Sequence, residues 1–233
     1  MRSHLRWTWF SVIGALALLA TSLAVGAGTG QNLVINGDFE NGNTGFTTGY
    51  RLGDLSGPGA YSIGTNPSKA LGAFGDWCNC GDHTAGTGKM MIVNGATDAS
   101  LQVWEETVTV TPSTNYIFSY WGAEVDHDSS SLPHLSLKIN GIVIGSSTFP
   151  EYPPDNGGQW QNYQFTWNSG SSKTADLALF DLNTDVSWND FALDDISFSA
   201  GPVPAAGNAA APHNAPASGP ISIQAQMTKM PDD

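Results

Sequence analysis

Residues 115–125 read NYIFSYWGAEV, and their alternation decides the fold. Successive side chains of a strand point to opposite faces of a sheet. Tyr116, Phe118 and Tyr120 therefore share one face, while Ile117, Ser119 and Trp121 share the other. The same period runs through QNYQFTWNS (161–169), with Tyr163, Phe165 and Trp167 on one side and Asn162, Gln164 and Thr166 on the other. The aromatic set of each segment is the predicted core face. NLVING (32–37), KMMIVNG (89–95), SLQVWEETVTV (100–110), HLSLKING (134–141), ADLALFDLN (175–183) and FALDDISFS (191–199) read as strands by length and pattern. Asn140-Gly141 is a hairpin signal, because both residue types accept positive φ. No stretch shows sustained helical periodicity with caps. Strands of this number and length bury best as two facing antiparallel sheets, an all-β jelly-roll sandwich.

The sandwich is expected over residues 31–200, with different material on either side. Arg2 and Arg6 precede an apolar run from Phe10 to Val25 and small residues at Ala24 and Ala27, the pattern of a signal peptide over 1–27. The run is shorter than the roughly 20 residues of a membrane span, so no membrane insertion is expected after cleavage. Export would place the protein outside the cell or in a periplasm. Residues 201–233 are rich in Ala and Pro, lack aromatic residues and show no apolar period, which predicts a disordered tail.

The formal net charge is −13, and loss of the leader's two arginines would carry it to about −15. Such a surface repels nucleic acid, anionic membrane and acidic polysaccharides. Neutral glycans and divalent cations are the partners it admits.

Residues 76–95, DWCNCGDHTAGTGKMMIVNG, hold both cysteines of the chain. For Cys78 and Cys80 the readings run from a local disulfide, through two buried thiols, to metal or redox chemistry. Two thiols cannot complete a structural zinc site, and export favours oxidation.

The opening NLVINGDFENGNTGF (32–46) and the closing NDFALDDISF (189–198) resemble the first and last strands of galactose-binding-like jelly rolls, the superfamily that holds many carbohydrate-binding modules. DHTAGTGKMM (82–91) also resembles a segment of MAM domains. The resemblance implies a structural calcium joining the first strand, the loop before a long strand, and the last strand. The matching positions are Asp38 and Glu40, Asp82, and Asp194 or Asp195. Calcium takes six to eight oxygens, which carboxylates and Gly-supplied carbonyls provide. The alternative is that these carboxylates are solvated turn residues capping loops. His83 is a poor calcium ligand and is expected to hydrogen-bond across the loop.

A glycan-cleaving enzyme is the weaker functional reading. Glycosidases set two carboxylates across a cleft. Glu105 and Glu106 are neighbours on one strand and point to opposite faces. Glu124 and Asp126 share a face but are expected to be charged residues where a strand meets solvent. His127 and His134 flank a Ser-rich loop, without a Gly-x-Ser-x-Gly elbow. A noncatalytic carbohydrate-binding module needs aromatic platforms beside amides and hydroxyls. Trp104 and Trp167 are expected in the core. Trp77, Trp160 and Trp188, in turns, and Trp121, opposite the core set, either belong to the core or lid the sandwich ends, or are the candidate sugar contacts, with Asn162 and Gln164 as hydroxyl partners if that face is concave. A matrix or cell-surface adhesion protein remains a third class, marked by an exposed apolar patch.

Overall fold

A computed structural model describes residues 30–126, 131–151 and 158–201. The leader over 1–27, the tail beyond Gly201 and His127 lie outside the described residues. Ten strands run β1 (Arg51–Leu52), β2 (Ala60–Gly64), β3 (Met90–Asn94), β4 (Gln102–Thr109), β5 (Asn115–Glu124), β6 (His134–Ile139), β7 (Ile142–Thr148), β8 (Gln161–Asn168), β9 (Thr174–Asp181) and β10 (Phe191–Ala200). They form a six-stranded sheet ordered β1-β2-β3-β10-β5-β8 and a four-stranded sheet ordered β4-β9-β6-β7. Every pairing is antiparallel except β1 with β2. The expected two-sheet sandwich is the fold found.

The alternation of β5 and β8 is realised as read. Tyr116, Phe118 and Tyr120 are buried between the sheets, and Tyr163 joins them from β8. Phe198 of β10 stacks on Tyr116, and Trp104 of β4 packs against Phe118. Each such side chain removed from water contributes about 1.5–3 kcal/mol. Asn140 and Gly141 take the expected positive φ values of 52° and 77° and join β6 to β7.

Two departures from the sequence reading shape the site. NLVING is not a strand. Its backbone does run beside β10, with Leu33 N–H donating to Phe198 O and Ile196 N–H to Gly37 O. However, Asn36 and Phe39 take positive φ and break the ladder. Gly37 is required there, because a Cβ would overlap the Ile196 carbonyl oxygen.

The second departure is β3, which is buried on both faces. Met91 and Val93 enter the main core, while Met90 and Ile92 face outward into a second, smaller core. Leu55, Ala60, Trp77, Cys78, Cys80, Val125 and Ala192 complete that cluster on the outer face of the large sheet, with Trp160 packed against it. The loop carrying both cysteines thus covers part of this outer face. The β5 and β8 portion beside it stays open.

Candidate ligand-binding site

The covering loop is shaped by one carboxylate. Asp82 is 4% exposed. Its Oδ2 accepts from the backbone N–H of Thr84 at 3.1 Å and of Ala85 at 2.9 Å, and its Oδ1 accepts from Gly88 at 2.7 Å. Two further acidic side chains tie the loop down. Asp194 Oδ2 accepts from His83 N–H at 2.9 Å, and Glu40 Oε1 accepts from Lys89 N–H at 2.6 Å. The beginning and the end of the sandwich therefore meet at this bend, as the sequence reading requires.

The five expected metal residues divide into two groups. Glu40, Asp82 and Asp194 hold the bend. A Cβ on Gly88 would overlap Glu40 Oε1 and stand 2.9 Å from Asp82 Oδ2, so these two carboxylates face one small space that only glycine leaves open. Burial pushes the Asp194 carboxyl up to about 7, helped by the adjacent Asp195 and by Asp82. Asp38 and Asp195 belong instead to the open face. Among the described residues no three His, Cys, Asp or Glu side chains gather as a metal-ligand group.

A bulge in β10 brings Asp195 to that face. The register against β5 shifts between Asp194 and Ser197, and Asp195 has φ 47°. The bulge lets consecutive aspartates reach the same loop, which parity along a regular strand does not allow. Asp195 Oδ2 lies 2.6 Å from His83 Nδ1 and accepts from Thr84 Oγ1 at 2.8 Å. His83 does hydrogen-bond as expected, but to β10 rather than across its own loop. Its ring also stacks on Trp121, with centroids 3.6 Å apart and planes 16° off parallel. Trp160 meets His83 edge-on and donates from its indole N–H to Gly81 O.

A cleft of about 420 Å³ opens beside Trp121. The indole, Asp195, Ser119 and Ser197 line it, facing Asn32, Asn36 and Asp38 of the opening segment. The Ser119 and Ser197 hydroxyls pair at 2.8 Å. On edge strand β8, Asn162 stands opposite Trp121 and Gln164 opposite Ser119. Gln164 donates to Asn162 Oδ1 at 2.8 Å, extending a strip of amides and hydroxyls across three strands. One aromatic ring among amide, hydroxyl and carboxylate groups is a lining for a polyhydroxylated ligand, and the volume is within the range of ligand clefts.

Two of the candidate tryptophans are elsewhere. Trp77 is 3% exposed, packs the smaller core and donates its indole N–H to Asp190. Its ring is spent on the interior. Trp188, at φ 73°, lines a separate cavity of about 90 Å³ with Phe74, Asp126 and Asp190. Cys78 and Cys80 are joined as a disulfide within the loop.

Sequence reasoning missed the buried acids at that far end. Glu124 and Asp126 are buried rather than solvated. Asp190 accepts from Gly95 N–H and Trp77, and its burial, with Asp126 and Asp76 nearby, raises it to about 7. Asp181 is raised to about 7 chiefly by burial. The signal available was an acidic residue at the end of an apolar strand run, as in NDFAL and LFDL.

No protein-family model and no curated protein sequence matches the chain. Solved structures do. The C-terminal domain of EclA, a sugar-binding protein, is 17% identical over 42% of this chain and 66% of its own length, at a TM-score of 0.36. The CBM22-1 xylan-binding domain of Paenibacillus barcinonensis Xyn10C is 14% identical over 71% and 92%, at 0.44. An apo cyclase from Fischerella sp. is 12% identical over 73% and 96%, at 0.51. The shared feature is the fold. It is a two-sheet β-sandwich. The likeness of residues 82–91 to MAM domains rests on the sequence alone.

The cleft is lined by the opening segment, β5 and the β10 bulge, and the covering loop supports it through His83 on Trp121. All of these are placed by the meeting of the chain's two ends.

Proposed function

We propose that the protein is an exported, noncatalytic carbohydrate-binding module that takes a neutral glycan in the cleft beside Trp121. The observation that carries this reading is the lining itself. An indole braced from behind by His83 stands next to Ser119, Ser197 and the Asn162–Gln164 strip. The C–H faces of a sugar stack on such a ring, and its hydroxyls pair with the amides and hydroxyls around it. Binding a neutral polymer needs no general acid or nucleophile. The charge of the chain disfavours uronates.

Calcium is the second part of the proposal. Glu40 and Asp82, which face one space at Gly88, would hold the ion together with backbone carbonyls of the glycine-rich bend. Its role here is to fix the bend that carries His83.

An array of neutral and acidic oligosaccharides tests the glycan reading, with reducing-end release measured in parallel. Binding to neutral members without release supports it. Silence across the array would contradict it, and release of reducing ends would replace it with the enzyme reading.

A further inference from the structure

The cleft carries negative charge that a neutral sugar does not neutralise. Asp38 and Asp195 both line it, Asp38 exposed and Asp195 with a side chain 30% exposed. Asp195 is anchored through Oδ2 by His83 and Thr84, so its carboxylate is held at the rim rather than swinging free. None of the Lys and Arg side chains among the described residues lines the cleft. Lys89, tied to the Glu40 backbone carbonyl, serves the bend behind it. Around the cleft the whole chain is acidic, at a formal net charge of −13. A ligand presenting hydroxyls alone can hydrogen-bond to the amides, hydroxyls and carboxylates but leaves the charge of the two carboxylates uncompensated.

We infer that the cleft prefers a glycan with free amines, a polymer of amino sugars, over the neutral polymer of the same geometry. The inference rests on the glycan reading above and names the substrate class. In it, Trp121 takes the C–H face of one ring and the ammonium groups of the chain meet Asp38 and Asp195. Oppositely charged groups at a half-exposed rim attract at moderate strength and are screened by salt. The acidic field of the chain adds long-range steering toward a polycation.

The test is calorimetric titration with three tetramers of like length: glucosamine, N-acetylglucosamine and glucose, all β-1,4-linked. The glucosamine tetramer is used at a pH where its amines are charged. The expected result is affinity for the glucosamine tetramer about tenfold or more above that for the glucose tetramer. The advantage should shrink at high salt, and Asp38→Asn should reduce the ratio of the two affinities. Asp98→Asn, an exposed carboxylate outside the cleft, controls for general charge and should leave the ratio in place. Equal affinity for the charged and neutral tetramers would overturn the inference while leaving the glycan reading intact. Equal loss of the ratio in Asp98→Asn, or equal binding of a lysine tetramer, would also overturn it, as charge attraction without a site. Failure of every tetramer to bind would count against both.

Discussion

The imidazole of His83 lies flat on the indole of Trp121, with ring centroids 3.6 Å apart, while its Nδ1 is 2.6 Å from Asp195. Histidine here is a brace. One contact fixes the ring of the covering loop to the β10 bulge, and the other holds the indole that lines the cleft. Trp121→Ala is expected to lower glycan affinity by about tenfold or more, as removal of a stacking platform does. His83→Ala should give a smaller loss through a less ordered platform. Titration calorimetry on both variants checks the order, and equal affinity of Trp121→Ala and the parent would sink the assignment.

Asp82 is the keystone of the bend, since one buried carboxylate satisfies three backbone N–H groups. Asp82→Ala leaves those donors without an acceptor, and hydrogen bonds to charged groups are worth about 1.5–3 kcal/mol each. A loss of about 3 kcal/mol or more in urea denaturation is expected. Asp82→Asn, which keeps an acceptor oxygen, should cost less. A loss under about 1 kcal/mol for the alanine variant would show that the loop is held by its packing on the smaller core.

Calcium binds the folded state in this account, so it should raise the melting temperature in proportion to the logarithm of its concentration. The rise should disappear in Glu40→Gln, because Glu40 and Asp82 face the same space at Gly88. Scanning calorimetry after chelation and dialysis, with and without added calcium, reads this directly. Coincident curves would remove the ion from the account.

Asp181 and Asp190 have carboxyls raised from 3.8 to about 7 in the folded chain. The folded state then holds their protons more tightly than the unfolded chain does. Their contribution to stability is fully present below pH ~4 and is lost as pH rises through about 7. Acidification from pH 8 to pH 6 should raise the melting temperature, by roughly 2–4 °C for each kcal/mol recovered. Asp190→Asn should flatten that slope. A melting temperature that falls over the same interval would contradict the burial argument.

Packing of β5 offers an independent check. Phe118 is buried between Trp104, Tyr120 and Phe198. Phe118→Ala should cost about 3–5 kcal/mol in chemical denaturation. A much smaller loss would mean that the aromatic face of β5 is not the core.

The fold was legible where one face is buried and one is wet. In β5 and β8 the period of two in the sequence is the period of burial in the sandwich. It failed at β2 and at NLVING for different reasons. β2, AYSIG, is short, and its neighbour β3 reads as a continuous apolar run because loop 76–89 buries its second face. NLVING is strand-like in composition, but Asn36 and Phe39 turn it away from the ladder, and that turn depends on contact with Ile196 across the whole chain. The site was legible in part. Trp121, Asn162 and Gln164 follow from register. The stacking of His83 and the joint reach of Asp194 and Asp195 require the β10 bulge, and no local pattern announces it. Trp188 sits in a bend as read, while Trp77 forms a short bridge to Asp126, and the surrounding turn residues do not say which side of either ring faces solvent.

The most direct test of the central claim is a two-dimensional amide and indole NMR titration of the folded protein with the tightest-binding neutral oligosaccharide from the array. The account predicts shifts centred on the Trp121 indole N–H, Ser119, Ser197 and the side-chain amides of Asn162 and Gln164. Shifts confined to the Trp188 and Phe74 end, with those five unmoved, would contradict it.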